Sequence, residues 1–205
     1  MPVYTPASFA ETDIKTLHRF IASHPFATLV SHGDAEPGAS HLPLMLDASR
    51  GEHGVIQGHM AKANSQWKDL VSNPVLAIFH GPHAYISATW YQANNTVPTW
   101  NYVAVHVYGT VTLITEKAAL AKLMQATLDR FEENPNQADV KPELMDQLLD
   151  SIVGFEVKIE RIEGKWKLSQ NHSKDRQQKV IDRLNTQDAS QSKKIAELMA
   201  QNLKG

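Results

Sequence analysis

The first segment that could do chemistry is GHMAKAN, residues 58–64, which places a cation, Lys62, close to an amide, Asn64. An apolar run predicts a strand before it, and residues 60–67 are rich in helix formers, so a strand here should pass into a helix. Free N–H groups in the first turn of a helix can bind a phosphate together with a lysine. The alternative interpretation of Lys62 is a solvated surface lysine.

A second such segment is VPTWNYVAVHVYG, residues 97–109. Its alternating β-branched and aromatic residues predict a long strand with a kink at Gly109. Pro98 cannot occupy a central position in a sheet, so the residues after it should lie where a loop enters the sheet, a common place for ligand-binding groups. These junction residues are Thr99, Trp100 and Asn101. Tryptophans such as Trp67 and Trp100 serve either as core or interface anchors or as walls for a flat ligand.

Other kinds of chemistry find no support in the motifs. Cysteine is absent, which excludes disulfides, thiolate metal ligands and cysteine nucleophiles. The ten histidines include no HExxH motif, and no metal site is predicted. The sequence also lacks the phosphate-binding GxxxxGK[ST] and GxGxxG loops and the GxSxG nucleophile motif.

The elements that must position these segments form one main domain. The 205 residues have 42% hydrophobic content, enough for one substantial core. Neither a secretory signal nor an apolar run long enough to span a bilayer is evident, so we expect a cytoplasmic protein without membrane attachment.

The charge distribution predicts a boundary near residue 172. Residues 165–205 hold nine Lys and Arg against four Asp and Glu, whereas the rest of the chain is acidic. We therefore predict a main domain over residues 1–172 and a basic helical C-terminal extension over residues 173–205. Such an extension suits an anionic partner, a self-complementary dimer or a solvated helix face.

Five or six short strands, joined mainly by turns, are predicted before and after a helical insert at about residues 116–150. The sequence HGPH, residues 80–83, predicts a tight turn between two of these strands. Helices separated from short strands in this way are typical of an antiparallel barrel with helical additions, an α+β fold.

Several long motifs together resemble the PaiB family of FMN-binding negative transcriptional regulators. They are PFATLVS at 25–31, SHLPL at 40–44, GHMAKAN at 58–64, FHGPHAYIS at 79–87, VPTWNYVAVHVYG at 97–109 and IVGFEVKIERIEGKWKLSQN at 152–171. Because that family is similar to the pyridoxamine phosphate oxidase-like flavoproteins, the resemblance implies an antiparallel split β-barrel and a homodimer with FMN bound between the subunits.

The resemblance also implies roles for individual residues. The FMN phosphate and ribityl chain would contact His59, Lys62 and Asn64, with Trp67 as a wall. The isoalloxazine ring would be lined by His41 and Pro43, with Thr99, Trp100 and Asn101 on the facing side. A late segment would approach cofactor and substrate, as the basic C-terminal motif of the oxidases does: Lys167, Ser169, Gln170 and Asn171. The full Arg-rich signature of those oxidases is absent.

Three functions follow from this resemblance. The first is a regulatory FMN-binding dimer with DNA as a candidate partner, whose two C-terminal helices would carry the basic surface. The second is a flavin-dependent oxidoreductase acting on a small molecule. The third is a haem-binding protein on the same barrel. No acid-base pair identifiable from spacing decides between an enzyme and a regulator.

Overall fold

The structure is a computed structural model that describes residues 3–33, 36–133 and 142–204. The described residues form eight strands, five α-helices and three short 3-10 helices. The strands are β1 (Ala10–Glu11), β2 (Phe26–His32), β3 (Pro37–Pro43), β4 (Met45–Asp47), β5 (Val55–Ala61), β6 (Val75–Ile86), β7 (Thr99–Ile114) and β8 (Ile152–Lys167). The α-helices are α1 (Ile14–Ser23), α2 (Lys117–Phe131), α3 (Pro142–Ser151), α4 (Lys174–Asn185) and α5 (Ser190–Lys204). The 3-10 helices are Ala7–Phe9, Ser65–Lys68 and Ala88–Tyr91.

The strands form an antiparallel sheet. Their order is β3-β2-β6-β7-β8-β5-β4, and β1 pairs with β8. Antiparallel pairing joins β2 to β3 and β6, β5 to β4 and β8, and β1 to β8. This arrangement agrees with the α+β class predicted from the sequence. Pro43 closes β3, the first strand of the order, where a missing backbone donor is tolerated.

Packing divides the described residues into two compact units. The first unit comprises residues 3–20, 80–105 and 163–204, and the second comprises residues 21–33, 36–79, 106–133 and 142–162. Helices α4 and α5 belong to the first unit, and α2 and α3 belong to the second. The domain boundary expected near residue 172 stays a prediction, and residues 134–141 of the expected helical insert lie outside the described residues.

Each unit has its own buried side chains. In the first unit they include Leu17, Phe20, Val103, Leu168, Val180, Ile181, Leu184 and Ile195. In the second unit they include Ala27, Leu29, Ile56, Phe79, Phe155 and Val157. Helices α2 and α3 bury Leu120, Leu123 and Leu149 against Met45, Ile114 and Ile152. The second unit thus carries a smaller apolar cluster beneath its helices.

The turn predicted at residues 80–83 is wrong, because β6 continues through it from Val75 to Ile86. Gly81 serves close packing there: a Cβ atom at this position would lie 2.7 Å from Cζ of Phe20. The glycine that suggested a turn therefore makes room for an aromatic ring.

The helix predicted from Met60 is also wrong. Strand β5 runs on to Ala61, which pairs with Ile152 of β8, and only the four residues of Ser65–Lys68 form a 3-10 turn. Pairing with β8 overrides the helix propensity of this segment. The long strand predicted after Pro98 is confirmed as β7.

Candidate functional site

The ring-lining residues predicted on β3 lie on an exposed face of the second unit. Thr28 pairs with His41 and Phe26 pairs with Pro43, and because paired residues share a face, these four side chains lie together. Thr28 Oγ1 and His41 Nδ1 are hydrogen-bonded at 3.0 Å. The Phe26 ring, 66% exposed, stacks on His41 with 6.3 Å between ring centroids. This "β2–β3 face", Phe26, Thr28, His41 and Pro43, offers a flat ligand an aromatic and polar wall.

Asn64 begins the 3-10 turn that follows β5. Its Oδ1 accepts a hydrogen bond from the backbone N–H of Gln66 at 3.1 Å, and its Nδ2 donates to Ser40 Oγ at 2.8 Å. Asn64 is thereby fixed beside the residue that precedes His41 on β3. Ser40 and His41 point to opposite faces of the strand, so Asn64 supports the β2–β3 face from behind.

Gln66, which the sequence did not single out, is the buried anchor of this region. Its Nε2 donates to Leu29 O at 3.0 Å, Ser31 Oγ at 3.1 Å and Gly38 O at 3.2 Å, so one amide group ties β2 to β3. Its Oε1 is buried without a hydrogen-bond partner among the described residues. Gln66 was not predicted, because it lies in a short turn, where the sequence shows no periodic pattern of buried positions.

Lys62 and Trp67 line a cavity of about 250 Å³ in the second unit. The Trp67 indole N–H donates to the carbonyl oxygen of Lys62 at 3.1 Å. The ammonium of Lys62 is exposed, and its contact with Asp150 O, at 3.4 Å, is longer than a strong hydrogen bond. Lys117, another residue of the lining, is instead paired with Asp146 at 3.1 Å. Lys62 is therefore the cation of this cavity with capacity for a ligand.

His59 lies half-buried on β5, opposite Gly154 of β8. Burial lowers the pKa of its imidazole below the usual 6.5, since a charged ring loses hydration there. No hydrogen bond to the ring is found within the described part of the chain. His59 is thus suited to a neutral hydrogen bond with a ligand rather than to an ion pair.

In the first unit, Lys167 joins two of the predicted junction residues. Its ammonium donates to the hydroxyl of Thr99 and, at 2.8 Å, to the carbonyl oxygen of Trp100. Partial burial, together with the neighbouring Lys165, lowers the pKa of Lys167. The Trp100 side chain is 53% exposed, and its ring lies 5.8 Å from that of Tyr85. An anchored cation and an exposed aromatic pair therefore lie side by side.

Asn101 and Ser169 are buried in the first unit rather than exposed beside Trp100. Asn101 Nδ2 donates to Ser169 Oγ at 3.0 Å and to Met199 Sδ at 3.4 Å, and the hydroxyl groups of Tyr91 and Ser169 are 3.0 Å apart. Each polar group in this cluster has a partner within the chain. The contact of Asn101 and Ser169 with FMN stays a prediction.

The two remaining late residues differ in their surroundings. Gln170 donates to Trp166 O at 2.5 Å and accepts from the backbone N–H of Leu168 at 2.7 Å, so its amide closes the turn after β8. Asn171 is exposed. The predicted site residues thus fall into two sets: the second unit holds those from His41 to Trp67, and the first unit holds those from Thr99 to Asn171.

Comparison with known proteins identifies close relatives. Residues 3–161 match the family model described as "Putative FMN-binding domain". The chain is also similar to "Protease synthase and sporulation protein PAI 2" of Bacillus subtilis (strain 168), with 39% identity over 207 residues, covering 98% of this chain and 99% of that protein. These matches confirm the resemblance found in the motifs and FMN as the predicted cofactor.

Solved structures share the fold at low sequence identity. The flavocytochrome Anf3 from Azotobacter vinelandii has a TM-score of 0.61 at 16% identity, covering 77% of this chain and 69% of that chain. An FAD and heme binding protein from Mycobacterium smegmatis has a TM-score of 0.61 at 15% identity, covering 77% of this chain and 73% of that chain. The likeness confirms the predicted antiparallel split β-barrel with helical additions. Among the described helices, none is long and apolar enough to cross a membrane.

Proposed function

This chain belongs to the family of FMN-binding proteins that its residues 3–161 match, and we propose that it is a homodimeric flavin-dependent regulator that binds DNA. The observation that carries the proposal is the exposed β2–β3 face, where the Phe26 ring stacks on His41 and stays 66% exposed. An exposed aromatic face on a small antiparallel sheet suits a flat cofactor and a second subunit.

The residues of the second unit fit the chemical groups of FMN. A dianionic phosphate needs a cation, and Lys62 has an exposed ammonium. The polyol needs neutral hydrogen-bond donors and acceptors, and the imidazole of His59 and the amide of Asn64 are groups of this kind. The ring needs a wall, which the β2–β3 face offers. Bound FMN would supply electron and hydride transfer, and this chain would bind and orient it.

The cavity beside Lys62 suits only part of the cofactor. Its volume of about 250 Å³ is below the roughly 300–1,000 Å³ of typical cofactor and drug sites. We therefore assign the cavity to the phosphate end of FMN, with Trp67 as its wall. In the first unit, Lys167 and Trp100 offer a cation and an aromatic surface for a flavin ring or a substrate.

The proposal of a homodimer is supported by the apolar residues that extend the β2–β3 face. Thr28 also pairs with Ile78, and Val30 pairs with Leu76, so these half-buried side chains of β6 continue the same face. A contiguous apolar surface of this kind commonly marks a protein interface. Binding by an identical chain would cover it.

DNA binding is supported by the basic C-terminal helices. Residues 165–205 hold nine Lys and Arg against four acids, and α4 and α5 lie within this region. Contacts with phosphates would make the affinity fall steeply as salt rises. A flavin-dependent oxidoreductase is the second candidate, favoured by Lys167 beside the exposed Trp100, where a ring and a small substrate could be bound together.

Two measurements test the proposal. The absorption spectrum of the purified protein, followed by identification of the released cofactor, should show FMN; haem or no pigment would contradict it. Titration of duplex DNA from the upstream region of the chain's own gene, at several salt concentrations and with FMN oxidised or reduced, should give salt-dependent binding that changes with redox state. Tight flavin binding without any DNA binding would favour the oxidoreductase.

A further inference from the structure

A groove in the first unit has no part in the proposed flavin site. It encloses about 450 Å³ and is lined by two segments. One segment is the 3-10 turn Ala88–Tyr91 with its cap, which contributes Thr89, Trp90 and Gln92. The other is helix α4, which contributes Lys179, Asp182 and Arg183, together with its cap residue, Thr186. We call it the α4 groove; none of its residues is among those assigned to FMN.

The helix presents a polar stripe to this groove. Residues 179, 182, 183 and 186 are spaced by three and four positions, so they lie on one side of α4. Another side carries Val180, Ile181 and Leu184, which are buried. The apolar side fixes the helix to its unit, and the polar stripe is therefore held over the groove rather than free to rotate away.

The charges of the stripe leave one cation unpaired. Lys179 Nζ lies 2.8 Å from Asp175 Oδ2, and Asp182 accepts a hydrogen bond from Gln178 Nε2 at 2.8 Å. The guanidinium of Arg183 is exposed and has no hydrogen-bond or ion-pair partner among the described residues; only its backbone carbonyl accepts hydrogen bonds, from Thr186 and Gln187. Five donors in a planar fork are thus available at the groove, a geometry that suits a carboxylate.

An aromatic wall lies in the same groove. Trp90 is half-buried in the 3-10 turn, and Gln92 ends that turn in the left-handed conformation at φ 48°. The indole ring has little conformational freedom and a large flat surface, so a planar ligand can pack against it at low entropic cost. Its N–H has no partner within the described part of the chain.

We propose that the α4 groove binds a planar aromatic carboxylate. The carboxylate pairs with the guanidinium of Arg183, and the ring packs against Trp90. Lys179 is paired with Asp175 and Asp182 accepts a hydrogen bond from Gln178, so Arg183 is the cation left to pair with a ligand that carries a single negative charge. A phosphate dianion would face two nearby carboxylates, which makes it the poorer ligand.

The test uses the FMN-loaded protein and 2-naphthoate as the probe, with neutral 2-naphthamide as its matched control. Isothermal titration calorimetry should give one naphthoate per chain and at least tenfold weaker binding of the amide. Arg183→Gln should weaken naphthoate binding at least tenfold, whereas Lys193→Gln on α5, which removes the same charge from an exposed position, should leave it unchanged. Nuclear Overhauser contacts should join the naphthalene protons to the Trp90 indole.

Other results would overturn the proposal. They are an absence of naphthoate binding at millimolar concentration, equal affinity for the amide, or unchanged affinity in Arg183→Gln. Release of FMN by naphthoate, seen as a rise in free-flavin fluorescence, would place the probe in the flavin site and would also overturn it. Because the flavin spectrum is recorded in parallel, loss of FMN binding is distinguishable from failure of the groove.

Discussion

The side-chain nitrogen of Asn101 lies 3.0 Å from the hydroxyl of Ser169, and both residues are almost completely buried. Ser169 holds this position with a backbone φ of 66°, a conformation that non-glycine residues seldom adopt. The hydroxyl groups of Tyr91 and Ser169 are also 3.0 Å apart. The start of β7 is therefore fixed to the turn after β8 by a closed set of hydrogen bonds.

Ser169→Ala should lower the free energy of unfolding by about 1–3 kcal/mol, because it removes the hydroxyl group that bonds Asn101 Oδ1 and the buried hydroxyl of Tyr91. Asn171→Ala, at an exposed position two residues later, should change it by less than about 0.5 kcal/mol. Urea denaturation of both variants measures the difference. Equal stability of the two variants would show that the buried cluster does not stabilise the fold.

Asn101 also illustrates what the sequence could predict. Strand residues alternate between faces, so Asn101 shares a face with Val103, Val105 and Val107, all of them buried. The alternation predicted the strand, whereas the burial of Asn101 was not predicted. Its partners could not be predicted, because Ser169 and Met199 reach it only through the tertiary fold.

The pattern of short strands and separate helices predicted the fold class, and the family resemblance carried by the long motifs predicted the split barrel and FMN, since these patterns and motifs are read from residues contiguous in the chain. The continuation of β6 through Gly81 depends on Phe20, which is distant in sequence, and the role of Gln66 depends on three separate backbone and side-chain acceptors. Contacts of this kind leave no periodic signal in a single sequence.

Lys62→Ala should weaken FMN binding by about 1.5 to 3 kcal/mol, because it removes a charged hydrogen bond to the phosphate. Lys122→Ala, which removes an exposed lysine from α2 of the same unit, is the matched control and should bind FMN normally. Fluorescence titration of the apoprotein with FMN gives both affinities. Identical affinity of the Lys62 variant and the unmodified protein would exclude the phosphate contact.

The stability of the protein should fall as the pH drops below 6.5, in part because of His59. Burial lowers the pKa of His59 in the folded state, so the unfolded state binds the proton more tightly. The contribution of the neutral ring is complete above the unfolded pKa and is lost as the pH falls towards the folded pKa. Urea denaturation between about pH 7.5 and 5.5 should show a smaller loss of unfolding free energy in His59→Gln than in the unmodified protein. The control, His32→Gln at an exposed position, should lose as much as the unmodified protein. Parallel pH profiles for both variants would contradict this assignment.

Phe26→Glu should convert a dimer into a folded monomer. Phe26 is 66% exposed in the single chain, so its replacement costs the subunit little, but a carboxylate on the β2–β3 face opposes burial against a second copy. Loss of an apolar contact worth about 1.5–3 kcal/mol corresponds to a weakening of dimerisation by roughly tenfold or more.

Val71→Glu is the matched control for Phe26→Glu. Val71 is an apolar residue of the same unit and is 54% exposed, and its replacement should leave the association unchanged. Light scattering over a range of protein concentrations measures the mass of each variant. A Phe26 variant that keeps the mass of a dimer at every concentration would show that the β2–β3 face is not the interface.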